Sequence, residues 1–175
     1  MKATGILVLF CSVIFGWQMH EQDLHKEYQQ VISSGMVFRW KVENDSLRVK
    51  LRAPTSGWLA VGFNRQSGIV GSALIMGANR DGVSQVEEQF VIGPQQHPPV
   101  SKLGSATSIA EAICVEKNGV SEMTFCLPLQ AQDKWHCDLQ SSGPIYVALA
   151  YSREDDFDHH SAVRTEVKIT LKKED

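Results

Sequence analysis

Period-two alternation, turn dipeptides between the alternating runs and a near-absence of helical periodicity predict an all-β chain, folded as an antiparallel Ig-like β-sandwich. About nine strand-like runs follow one another at short spacing, and residues 21–33 are the one fair helix candidate. The 175 residues amount to one domain, with no internal repeat and no low-complexity tract.

The elements follow in order. In MVFRWKVE, Met36, Phe38, Trp40 and Val42 alternate with Val37, Arg39, Lys41 and Glu43; in SLRVKLR, Leu47, Val49 and Leu51 alternate with Arg48, Lys50 and Arg52. Both runs read as half-buried antiparallel strands, joined into a hairpin by the turn residues ENDS. WLAVGF is apolar throughout, as in a strand covered on both faces. The polar, Gly-bearing NRQSGIVGS leads to a second such strand, ALIMGA, then to the turn NRDG and a longer, partly exposed strand, VSQVEEQFVI. GPQQHPPVSKLGSA is loop, since Pro94, Pro98 and Pro99 cannot donate to a ladder. Asn118-Gly119 closes another hairpin, which sets Cys114 opposite Met123 on the face of Phe125 and sends Cys126 to the other face. IYVALAYS is a buried strand, and VRTEVKITL alternates, with Val163, Thr165, Val167, Ile169 and Leu171 on one face.

Hydrophobic residues make up 43% and charged residues 21%, ordinary for a globular protein, and the net charge of −3 gives no attraction to nucleic acid or an anionic membrane. One Lys precedes an apolar stretch from Ile6 to Phe15, which is shorter than the roughly 20 residues of a membrane span. It reads as a secretory signal peptide over residues 1–18, with an uncleaved tether as the alternative. An N-terminal segment (19–34) and the sandwich (35–173) follow. Export makes the protein secreted, periplasmic or extracellular and permits a disulfide. With Cys11 removed in the signal, Cys126–Cys137 is the favoured bridge among the three remaining cysteines.

No glycine-rich phosphate cradle, H-E-x-x-H, G-x-S-x-G or C-x-x-C-H occurs, so no catalytic motif stands out. The densest chemistry lies in EDDFDHHSAVRT, where His159 and His160 follow Asp155, Asp156 and Asp158. As adjacent residues in an extended segment, the two histidines face opposite ways. Such a loop either binds a divalent cation such as Zn²⁺ or Cu²⁺ or is a solvated turn. Met76, between glycines in GSALIMG, is by itself an ordinary gap-filler. Paired with an imidazole it has another meaning, because a thioether and an imidazole are the axial ligands of many electron-transfer haems.

FRWKV, LRVKLRAPTSGWLAVGFN, GSALIMG, DG and DDFDHHSAVRTEVKITL stand in the order and rough spacing of a DOMON domain, the family named for the N-terminal region of dopamine β-monooxygenase. The chain resembles that family over residues 36–171, most specifically in GWLAVGFN followed by GSALIMG. The resemblance implies an extracytoplasmic sandwich of about ten or eleven strands with one ligand pocket. In the branch similar to the cytochrome domain of cellobiose dehydrogenase, it implies b-type haem held non-covalently by one Met and one His. Carried over, Met76 is the Met; His160 has the spacing of the His, while His159 has the inward parity of the last strand. Trp58, Leu59 and Phe63 become candidates to pack on the porphyrin, or else core. Arg164 becomes a partner for a haem propionate, or else a surface arginine. Asp155, Asp156 and Asp158 shape the turn.

The leading expectation is therefore an electron-transfer cytochrome with haem b as its metal-binding cofactor. It has no turnover of its own, and any redox partner is a separate protein. The runner-up is a non-redox carbohydrate-binding module without haem, with Trp135 and Trp17 as candidate sugar platforms. A metal-dependent enzyme built on the histidine loop ranks last, because it lacks a third anchor.

Overall fold

The computed structural model describes residues 28–171, so the signal-peptide reading, Trp17 and Cys11 lie outside the described residues. Ten strands occur among the described residues: β1 (Gln29–Ser33), β2 (Met36–Glu43), β3 (Ser46–Ala53), β4 (Leu59–Asn64), β5 (Ala73–Arg80), β6 (Val83–Phe90), β7 (Ala110–Lys117), β8 (Val120–Pro128), β9 (Ile145–Tyr151) and β10 (Val163–Ile169). They form two five-stranded sheets, ordered β1-β2-β3-β8-β7 and β10-β9-β4-β5-β6, with antiparallel pairing throughout. The all-β sandwich is as the alternation predicts.

The helix expected over residues 21–33 is corrected where it can be seen. Gln29–Ser33 is an edge strand, paired with β2 from Gln29↔Trp40 to Ser33↔Met36. Ser34 and Gly35, at φ 50° and 79°, make the tight turn, a left-handed pair that suits the strand twist. Asp81-Gly82 and Asn118-Gly119 adopt the same positive φ values at the β5–β6 and β7–β8 turns. The second of these gives the expected Cys114↔Met123 register.

Alternation decides what is buried. Met36, Phe38, Trp40, Leu47, Val49, Leu51, Met123 and Phe125 from the first sheet meet Leu59, Val61, Phe63, Ile75, Val147 and Leu149 from the second. Each large side chain so buried contributes roughly 1.5–3 kcal/mol. The sheets pack tightly at Gly77, where a Cβ would lie 2.6 Å from Met123 Sδ and 3.3 Å from Cys114 Cβ. At the open ends Ser33 Oγ and Thr165 Oγ1 bridge the two edge strands at 3.0 Å.

The expected Cys126–Cys137 disulfide does not form: Cys114, Cys126 and Cys137 are all free. Cys126 lies opposite Arg48, on the outward side of β8, whereas Cys137 packs against the inter-sheet core. The sheet therefore separates the two thiols. Desolvation pushes the Cys137 thiol up to about 11 and Cys114 to about 12, so neither is ionised at neutral pH.

Candidate ligand cavity on the second sheet

The outer face of the second sheet carries the other half of the alternation. Trp58, Ala60, Leu74, Met76, Ala78 and Val91 form a separate apolar cluster there, with Ala150 and Phe157 packed on it. The registers align Ala150, Ala60 and Met76 in one row across β9, β4 and β5, and Ala148, Gly62 and Leu74 in the next. Alanine and glycine at four of these six positions leave a flat, shallow floor. A Cβ on Gly62 would come within 3.3 Å of Ile69 Cδ1 and 3.4 Å of Ala148 Cβ.

Over this floor opens a cavity of about 620 Å³, lined also by Ile69, Val91, His97, Phe157, His159, His160 and Arg164. Its size falls within the range of small-molecule sites, about 300–1,000 Å³. Met76 lies in the floor at 2% exposure and Trp58 at 4%. The Trp58 indole N–H is buried without an acceptor in the protein, a donor left unmet beside the cavity.

The histidine loop is held over the cavity by backbone contacts rather than by its charges. Trp58 N donates to Glu154 O at 2.9 Å, and Ser152 N to Trp58 O at 2.9 Å. Thr55 Oγ1 donates to Ser152 O, and Ser152 Oγ to the carbonyl of His160 at 3.1 Å. This approach requires a glycine at 57, where a Cβ would stand 2.5 Å from the Arg153 carbonyl carbon. Within the loop, His159 N donates to Asp156 O at 3.1 Å, and Asp158 N to Asp156 Oδ1 at 3.1 Å. Asp156 thus shapes the turn. Burial pushes the Asp155 carboxyl up from its ordinary value, partly offset by Arg80, and its Oδ1 has no partner. Both histidines are exposed and both line the cavity.

Among the residues singled out by sequence, Trp58, Met76, His159, His160 and Arg164 come together around one cavity. Phe63 and Leu59 do not. Both are fully buried in the inter-sheet core, because odd positions of β4 face inward and Trp58 and Ala60 face out. Trp135 is also elsewhere, edge-on to Phe90 at 5.3 Å with Lys134 over its ring. No group of three His, Cys, Asp or Glu side chains converges to hold a metal ion among the described residues. Reasoning from spacing missed the alanine floor, Phe157 and His97. The floor was readable, since Ala60, Gly62, Ala148 and Ala150 share one parity of their strands.

A family model for the DOMON domain matches residues 32–152. The chain belongs to the DOMON domain family. The match takes in Trp58, Met76 and His97 and ends at Ser152, before the histidine loop. Among curated proteins none matches in sequence. Two solved structures share the fold. The cytochrome b domain of pyranose dehydrogenase from Coprinopsis cinerea superposes with a TM-score of 0.60 at 8% identity, over 82% of this chain and 81% of that one. The cytochrome domain of Myriococcum thermophilum cellobiose dehydrogenase does so with a TM-score of 0.57 at 11% identity, over 83% and 82%.

Proposed function

We propose that this DOMON domain binds b-type haem non-covalently in the cavity on its second sheet and serves as a one-electron carrier for a separate redox partner. One observation carries the reading: a flat alanine floor with Met76 set into it faces a loop with two histidines across a single apolar cavity. A planar, mostly apolar ligand fits such a floor, and the thioether and imidazole are a donor set that haem iron accepts. In this reading Met76 and His160 are the ligands, with His159 as the alternative. Trp58, in the cavity lining, would pack against the haem, and Arg164, exposed at the rim, would suit a propionate. Bound haem supplies reversible one-electron chemistry. The protein's part is to hold it, keep water from the floor and set its potential. The structural likeness to two cytochrome domains supports this reading through the fold. The apolar stretch at residues 6–15 supports export.

Ligand variants test the assignment. Met76→Ala should remove the weak long-wavelength sulfur-to-iron band of the ferric protein, and one of His160→Ala and His159→Ala should convert low-spin iron to high-spin. A Met76→Ala protein with unchanged spectrum and affinity would sink the methionine; equal, mild effects of both histidine variants would sink the loop.

A further inference from the structure

His97 enters the cavity wall from a loop in which no chemistry was visible. Phe90 N donates to Pro98 O at 3.1 Å and Ile92 N to Gln96 O at 2.9 Å, and a bridge joins Gln89 to Pro99. The segment after β6 thus folds back along that strand. His97 is set over its outer face, where Glu87 lies opposite Met76 and Gln89 opposite Leu74. A chain of hydrogen bonds runs along this face. Gln89 Nε2 donates to Glu87 Oε1 at 2.5 Å, and His97 Nδ1 lies 2.6 Å from Gln89 Oε1.

The chain fixes the tautomer. An ionised Glu87 carboxylate accepts and does not donate, so the end of Gln89 that meets it is the NH₂. The other end is then the amide oxygen, also an acceptor, so His97 Nδ1 must carry the hydrogen. In the neutral ring, Nε2 is left with its lone pair. An imidazole oriented through its other nitrogen by an amide and a carboxylate has the outer-shell pattern of a metal-ligating histidine. His159, by contrast, has Nδ1 3.5 Å from Asp156 Oδ2 and is largely exposed. His97 and Met76 both line the cavity, and Gln89 and Glu87 hold His97 over β6, the strand paired with the one that carries Met76.

We infer that His97 is a second donor on the Met76 side of the cavity, its Nε2 held ready by the Glu87–Gln89 chain to bind haem iron in place of the thioether. The inference rests on the haem reading and adds to it. A thioether is the weaker donor to ferric iron and an imidazole the stronger. Providing both on one wall keeps a sixth donor at hand wherever the thioether is lost.

The test adds haemin to the full mature chain and reads ferric absorption and electron paramagnetic resonance. Met76→Ala should stay six-coordinate and low-spin, with the signature of two imidazoles. Met76→Ala/His97→Ala should become five-coordinate and high-spin, with haemin affinity lower by about tenfold or more. Free imidazole should restore its low-spin spectrum, which a misfolded variant would not show. Gln89→Leu in the Met76→Ala background should lower affinity by about tenfold while leaving every donor in place. A high-spin Met76→Ala single variant, or a double variant that stays low-spin, would overturn the role of His97 and leave haem binding standing. Failure of the unaltered protein to take up haemin would overturn both.

Discussion

The two outer sheet faces of this sandwich are built on opposite rules. On the first sheet, Arg39 stands directly opposite Lys50, and Lys41 opposite Arg48. Like charges so placed repel. Each cation is given something to offset this: Arg39 donates to Gln30, Lys50 lies over the Tyr28 ring, Lys41 pairs with Glu43, and Arg48 with Glu43 and Glu111. The centre of that face is charged and open to water. On the second sheet the equivalent positions are Ala60, Met76, Ala78 and Ala150, closed over by three loops with an open cavity left between. A sheet face left apolar at its centre, with no second sheet against it, calls for another occupant. The contrast is the physical reason to look for a ligand on one side of the molecule and not on the other.

The sharpest way to break the comparison uses two residues of β4. Phe63→Ala should cost about 3–5 kcal/mol of stability, since it empties a fully buried site. Whatever remains folded should bind ligand as before. Ala60→Phe, on the opposite face, should abolish haem uptake while lowering the thermal midpoint little, because the new ring enters the cavity. Denaturant titration and a haem difference spectrum of both variants decide this; loss of uptake in both, or in neither, would mean that the faces are not independent. Next in size is Lys50→Thr, which removes one member of an opposed cation pair on the charged face. Stability should change by no more than about 1 kcal/mol, becoming smaller at high salt, with ligand binding untouched.

The smallest effect is set by pH. Asp155 has its folded value raised, mainly by desolvation. Its charged form is therefore penalised in the native state, and the stability linked to its proton is complete below the ordinary carboxylate value and lost as pH rises through the folded one. Asp155→Asn should melt slightly higher than the parent at neutral pH, and the difference should close as pH falls through the acidic range. A difference that grows on acidification would contradict the assignment.

Legibility follows the same division. Strands with side chains alternating between core and water announce themselves, and the Asn118-Gly119 turn fixes a register that the structure reproduces. β4 and β5 were harder, because both faces are apolar and nothing in composition says which face meets the other sheet. Counting by twos from Leu59 separates Phe63 from Trp58 once one core residue is known. β1 was misread because Gln29–Ser33 is a short edge strand whose shape comes from pairing with β2, a tertiary effect that local propensity does not contain. His97 was invisible for a related reason. A histidine in a proline-flanked loop gains meaning from Gln89, eight residues away in sequence, only when the loop folds back on β6.

The most direct test of the central claim is an absorption spectrum of the chain mixed with haemin, first oxidised and then reduced with dithionite. One equivalent of haem taken up, with sharp α and β bands on reduction, is the result this account predicts, and Ala60→Phe should eliminate it. Weak, non-saturating uptake without sharp bands, or uptake that survives Ala60→Phe, would contradict it and leave the cavity to a ligand of another class.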